Sequence, residues 1–254
     1  MTADPLKYRK YKTANERNKD YFEKWDLDSL LSSRINEDPF ILDVGAYTGT
    51  SLLRFKSIWP HCSVHCFEPT GEAFQILKNV ASPYGNTVNL HQLAISDFNG
   101  VDSFFIQGIN QGLNSLIPRN VFAKDSLYIS NIQKLTETEK RTELNELNKE
   151  VIKVEVRTLD YVDEITDFPT IDLLKIDVQG AESQVLKGAR KVLEKTQNIL
   201  VEISLYDLYE SKTSFFDIET ITSTHGFSLF TFTEISYNPM NGRIDWVNAL
   251  YTKQ

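Results

Sequence analysis

The 254-residue chain predicts an α/β fold: a doubly wound, seven-stranded, mostly parallel sheet with an antiparallel final strand and an N-terminal helical arm. Three observations carry this. Short apolar runs that close on an acid, at residues 40–44, 88–97 and 171–177, have the pattern of strands buried on both faces. Segments of helical spacing alternate with them. A glycine turn, Gly45 to Gly49, joins the first strand to the first helix, which makes a ligand site at the carboxyl end of a parallel strand.

The arm spans residues 1–36, and the main domain spans 37–254. The arm is charged and helix-like, with Tyr21, Phe22, Trp25, Leu30 and Leu31 for packing, and it offers a surface for covering a sheet edge or forming a homo-oligomer. After the first strand and turn, Leu52, Phe55, Ile58 and Trp59 mark one side of a helix that ends at Pro60. Strand two runs from Ser63 to Glu68. Residues 71–80 form a helix, and residues 88–97 form strand three. Asn99-Gly100 turns, and 101–106 alternates as a β-ribbon.

Residues 107–150 are the least regular segment, an insertion placed where a lid or an acceptor-recognition element would sit; a surface decoration fits it equally. Its loop carries Asn114 and Ser115, and its charged helical part has a sparse stripe of Leu135, Leu144 and Leu147. Residues 151–159 alternate as a strand with one wet face. The fourth core strand, 171–177, leads into a helix over 181–194, followed by a strand at 199–203, a helix at 215–225 and a strand at 227–232. Residues 244–251 close the sheet as an antiparallel hairpin partner after a turn at 238–242.

Composition narrows the function. The chain is 41% hydrophobic, with no run near the ~18 apolar residues of a membrane helix. Its start has no secretory pattern, so a cytoplasmic setting is expected. A net charge of −8 argues against nucleic-acid binding, although Lys7, Arg9, Lys10, Lys12, Arg17 and Lys19 cluster in the arm. The two cysteines and two histidines of residues 61–66 resemble a metal cluster, but alternation along a strand sends Cys62 and Cys66 to one face and His61 and His65 to the other. No metal site is expected.

The ligand end of the sheet collects the candidate residues. The turn reads Asp43-Val-Gly45-Ala46-Tyr47-Thr-Gly49-Thr50, lacking the middle glycine of the dinucleotide fingerprint. Glu68 lies 23 residues after Gly45, near the ~20 expected of an acid that holds ribose hydroxyls. A polar pair, Ser96-Asp97, tops strand three and is placed for an adenine amino group. No histidine is placed as a general base. Lys175 and Asp177 share a face of the fourth core strand, and Glu202 tops its neighbour; a structural ion pair and a polar cluster beside the reacting group both fit. Tyr206, Tyr209, Tyr237 and Met240 sit in loops at the same rim, where aromatics can face a sugar ring.

The D-x-G-x-x-x-G form of the turn resembles motif I of S-adenosylmethionine-dependent methyltransferases, which share a Rossmann-like sheet. Further runs resemble the FkbM-type family within that class: 41–49, Phe67-Glu-Pro69, Leu93-Ala-Ile-Ser-Asp97, Val156-Arg-Thr-Leu-Asp160, Leu173-Leu-Lys-Ile-Asp-Val-Gln-Gly-Ala-Glu182 and Leu186-Lys-Gly-Ala189. The likeness runs from about residue 40 to the end and leaves out the arm and the 107–150 insertion. Two departures stand out: Tyr47 replaces a usual Asn, which puts its cofactor contact in doubt, and Gln179 replaces a usual Glu, which removes a carboxylate from the acceptor side and weakens any metal site.

The resemblance implies O-methylation of a sugar, glycan precursor or similar small metabolite, with S-adenosylmethionine as cofactor. Carried over, Asp43 and Gly45, Ala46, Tyr47, Gly49 and Thr50 hold the methionine end, Glu68 and Pro69 the ribose, and Ser96 and Asp97 the adenine. Asp177, Lys175 or Glu202 would position a base, with Asp177 also at the cofactor. Asn114, Ser115, Gln179, Tyr206 and Tyr237 are the acceptor-side candidates. Two rivals stay open: a non-catalytic protein that binds the cofactor, and a nicotinamide oxidoreductase on a related fold.

Overall fold

The computed structural model describes residues 13, 16, 18–19, 21, 24–107, 111–120, 150–238 and 241–254. Most of the basic cluster of the arm, the helical stripe of 121–149 and Met240 lie outside the described residues.

The strands are β1 (Phe40–Val44), β2 (Ser63–Phe67), β3 (Val88–His91), β4 (Ala94–Ile95), β5 (Gly100–Ile106), β6 (Glu150–Arg157), β7 (Ile171–Ile176), β8 (Thr196–Ser204), β9 (Phe227–Tyr237) and β10 (Ile244–Lys253). The α-helices among the described residues include α1 (Leu27–Ser32), α2 (Thr50–Ile58), α3 (Gly71–Ala81), α4 (Asp163–Thr166), α5 (Glu182–Lys187), α6 (Arg190–Lys195) and α7 (Phe215–Thr224). The main sheet has seven strands in the order β3-β2-β1-β7-β8-β10-β9. All pairings among its first five are parallel, and β10 is antiparallel to both neighbours. Going outward from β1 the chain order runs first one way and then the other, which leaves an open crevice at the carboxyl end of β1.

Alternation along β1 splits the core into two layers. Leu42 and Val44 join Ile176, Val185 and Leu186 on one face, while Ile41 joins Leu52, Phe55, Val64 and Cys66 on the other. Leu27, Leu31 and Ile35 are buried in the second layer, so the described end of the arm packs as part of the domain core. Asp26 caps α1 by accepting from the Ser29 amide at 2.8 Å.

Three expectations need correction. Strand three is two elements: β3 ends at His91, and β4 leaves the main sheet to pair with β6. With β5 these build a separate three-stranded sheet, β4-β6-β5, packed around Phe104, Val154 and Val156. The helix over 181–194 is two short helices, broken at Gly188, where a Cβ would meet the Ser96 carbonyl oxygen at 2.1 Å. Finally, β10 inserts between β8 and β9, so β9 and not the last strand forms that edge of the sheet.

Candidate active site

The glycine turn is fixed from three sides. Gly45 adopts φ 80°, and a Cβ there would lie 1.8 Å from the Asp177 carbonyl oxygen, so β1 and β7 approach at a distance only glycine allows. The amides of Gly45 and Ala46 both donate to the Phe67 carbonyl, at 3.1 and 3.0 Å, and tie the turn to the end of β2. Tyr47, in the left-handed region at φ 48°, donates its amide to Glu68 Oε2 at 3.1 Å. Gly49 then caps α2, whose helix starts at Thr50.

Glu68 is buried, and its other oxygen accepts from the Thr70 amide at 2.8 Å and hydroxyl at 2.5 Å. Burial pushes this carboxyl up; the Thr70 and Tyr47 donors and the charge of Lys175 pull it back. The carboxylate is thus held rigidly, with Oε1 saturated by its two donors and a lone pair left on Oε2 for a ligand hydroxyl.

A cleft of about 700 Å³, mouth included, opens between the turn, the small sheet and residues 111–120. Glu68 and Pro69 line one side, and Phe67, Leu93, Ala94, Ile95 and Phe104 form an apolar slot beside them. At the other end stand Asp177, Val178 and Gln179, with Gly112, Asn114 and Leu116 facing them. A cleft with an apolar body and a few polar groups suits a ligand that has a flat apolar part and hydroxyls.

The wall at Asp177 is a polar network. The chain leaves β7 at Ile176, and Gln179 takes φ 59°, which turns its side chain back. Its amide nitrogen donates to Asp177 Oδ1 at 2.7 Å and Glu202 Oε1 at 2.9 Å, and its carbonyl oxygen lies 3.1 Å from the Tyr209 hydroxyl. Burial, then the Asp177 charge, holds Glu202 well above the ordinary carboxylate range. Burial likewise raises Glu182, whose Oε1 accepts from the Gly180 amide at 2.8 Å, to about 7. Beneath the turn, Lys175 donates to the Gly45 carbonyl at 3.0 Å and pairs with Asp43 at 3.2 Å and Asp177 at 3.6 Å. Burial alone would push this ammonium down, but the charges of Asp43, Asp177 and Glu202 outweigh it and hold it above the ordinary lysine value.

The sequence candidates divide on this geometry. Gly45, Tyr47, Glu68, Pro69, Asp177, Gln179 and Asn114 come together in the cleft wall. Asp43 and Lys175 lie sealed beneath the turn, outside the lining. Ser96 is buried against Gly188 and Asp97 is exposed; the slot where they were expected is lined by Leu93, Ala94 and Ile95. Ser115 is fully buried and donates to the Gln179 carbonyl at 2.8 Å, so it supports the wall from behind. Tyr206 and Tyr209 are buried with Ile117, Ala181 and Leu208, and Tyr237 is exposed at the end of β9, away from the cleft. Phe104, Gly112 and Leu116 were missed: Phe104 sits in a strand that reads as a surface ribbon, and the other two in an irregular loop. Among the described residues no group of three or more His, Cys, Asp or Glu side chains is arranged to hold a metal ion, and no helix is long and apolar enough to cross a membrane.

A doubly wound sheet with a glycine turn, an acid at the end of β2 and a cleft at the strand ends defines a nucleotide-type ligand site. The family model described as the methyltransferase FkbM domain matches residues 43–229. The chain belongs to the FkbM methyltransferase family and is an enzyme of that class. It is 30% identical over 183 residues to the 2-O-methyltransferase NoeI of Sinorhizobium fredii, covering 72% of this chain and 70% of that protein. Methyltransferase 1 of Beauveria bassiana is 25% identical, with 76% and 74% covered. A solved SAM-dependent methyltransferase from Methanosarcina mazei superimposes with a TM-score of 0.46 at 9% identity, over 90% of this chain and 99% of that one.

Proposed function

We propose that the protein transfers a methyl group from S-adenosylmethionine to a hydroxyl of a sugar, glycan precursor or similar small metabolite. The observation that carries this reading is the cleft itself. A rigid carboxylate, Glu68, stands beside an apolar slot at one end, and an open carboxylate, Asp177, stands at the other. The first pair suits a nucleoside: Glu68 accepts from a ribose hydroxyl at Oε2, and the slot of Phe67, Leu93, Ala94 and Ile95 takes the flat base. Membership of the family and the 2-O-methyltransferase name of NoeI support transfer to oxygen.

When bound, S-adenosylmethionine supplies a methyl carbon on a positively charged sulfur that departs as a neutral thioether. The chain's own part is alignment and proton handling. The turn and Glu68 fix one reactant, and Gly112, Asn114 and Leu116 close the cleft over the acceptor end. Asp177, the carboxylate open at that end, takes the proton that the acceptor hydroxyl releases, and the Gln179 amide holds its other side. Lys175 and Glu202 do not line the cleft; they act on Asp177 from behind. The reading is tested with methyl-labelled S-adenosylmethionine and a panel of neutral sugars and polyols. Label recovered as an ether on a hydroxyl is the expected result; hydride transfer from a nicotinamide instead would refute it.

A further inference from the structure

Lys175 and the two acids around it carry a charge arrangement in which one member, Asp43, has no part in the reaction described above. Asp43 and Lys175 are direct neighbours in the parallel register of β1 and β7 and point to the same side of the sheet. The Asp43 side chain is wholly buried, Lys175 is 11% exposed, and Asp177 is 32% exposed and opens into the cleft. Lys175, at 3.2 Å, is the close charge partner of Asp43, and among the described residues no other group donates to either Asp43 oxygen. A carboxylate is costly in such a place unless it has an electrostatic task. Burial pushes the Asp43 carboxyl up, and the Lys175 charge opposes that.

Counting charges makes the task visible. Two carboxylates share one ammonium, so the trio holds a surplus negative charge, and Asp177 is its member open to the cleft. Glu202 faces Asp177 from β8 and Glu182 from α5, and burial holds both acids toward their neutral forms. Glu68 and Asp177 are the charged side chains of the cleft lining among the described residues.

We propose that Asp43 is a positioning residue acting through Lys175: by taking up most of the lysine charge inside the sheet, it leaves the Asp177 carboxylate only partly neutralised and matched to a cationic group of the bound ligand. This rests on the S-adenosylmethionine reading, because that ligand carries cationic groups and its nucleoside portion carries none. Asp43 touches no ligand and governs affinity at a distance.

The test is calorimetry with two probes, S-adenosylmethionine and adenosine, on the wild type, Asp43→Asn and the Asp43→Asn/Lys175→Met pair. In Asp43→Asn the lysine charge falls wholly on Asp177, so S-adenosylmethionine weakens by about tenfold while adenosine stays within about twofold. The double variant returns the trio to its wild-type net charge and recovers most of the lost affinity. A purely structural role, the loss of a buried charge partner, would instead weaken both probes alike in Asp43→Asn. Equal effects on both probes, or no effect of Asp43→Asn, would overturn the proposal. If Asp43→Asn does not fold, the double variant decides alone: a loss beyond about tenfold for S-adenosylmethionine overturns the idea, and near-wild-type affinity supports it. A wild type that binds adenosine but not S-adenosylmethionine overturns the charge argument with the nucleoside site intact. Binding of neither overturns the cofactor reading and this inference together.

Discussion

The closest backbone approach in the site is the one most open to quantitative attack. Gly45 combines two constraints, a positive φ of 80° and a Cβ position 1.8 Å from the Asp177 carbonyl oxygen. Two other glycines carry one constraint each. Gly226, after α7, has φ 81° with nothing within 4 Å of its Cβ position. Gly188 has an ordinary φ of −82°, but its Cβ would meet the Ser96 oxygen at 2.1 Å. Gly226→Ala therefore costs the left-handed penalty alone, about 1 kcal/mol. Gly188→Ala costs the clash alone, about 2–3 kcal/mol as the break between α5 and α6 is forced away from Ser96. Gly45→Ala carries both, and relief needs β1 and β7 to part by more than an ångström, which threatens the Asp177 amide bond to the Val44 carbonyl at 3.0 Å. About 4 kcal/mol or more is expected for it. Urea unfolding monitored by circular dichroism, with the slope checked for constancy, gives the three values. A Gly45→Ala protein no less stable than Gly226→Ala would refute the claim that this contact joins the two strands.

Two further predictions concern pH. His65 is buried, and burial first, then His91, holds its imidazole down at about 4 against an ordinary 6.5. The Asn89 amide at 3.1 Å from its Nε2 and His91 Nε2 at 3.0 Å from its Nδ1 fit the neutral ring. The unfolded chain therefore takes a proton the fold resists. Stability falls by about 2 kcal/mol as pH drops from 6.5 through 4, and His65→Asn should flatten that slope in urea titrations; an unchanged slope would contradict it. Glu182 runs the other way: burial raises it from 4.5 to about 7, so the fold binds a proton more tightly than the unfolded chain and loses stability as pH rises through that window. Glu182→Gln keeps an acceptor for the Gly180 amide and should gain about 1–2 kcal/mol over wild type at pH 8 and nothing at pH 4; no gain at pH 8 would refute it.

What the sequence discloses about this protein is local. The strand–turn–helix around Gly45 follows from a change of period, and Glu68 follows from its spacing after that turn, because both features depend on neighbours along the chain. Pairings between distant segments carry no such signature. Nothing in residues 88–97 announces that the chain leaves the main sheet after His91, and so Ser96 and Asp97 were assigned to a slot that Leu93, Ala94 and Ile95 occupy. Lys175 and Asp177 are two apart and read as one face. The strand stops at Ile176 between them, so one side chain goes beneath the turn and the other into the cleft. The tyrosines after β8 look like exposed loop residues until residues 111–120 cover them, with Arg119 bridging to Tyr209. The left-handed turn at Gln179, which builds the wall behind Asp177, occurs at a residue type that gives no warning of it.

The central claim is that Glu68 and the slot beside it hold the nucleoside of S-adenosylmethionine. The most direct measurement is calorimetric titration of the wild type and Glu68→Ala with S-adenosylmethionine and with NAD. The account predicts binding of S-adenosylmethionine by the wild type, weakened about tenfold or more in Glu68→Ala, and no comparable binding of NAD. Equal affinity in the two proteins, or binding of NAD alone, would contradict it.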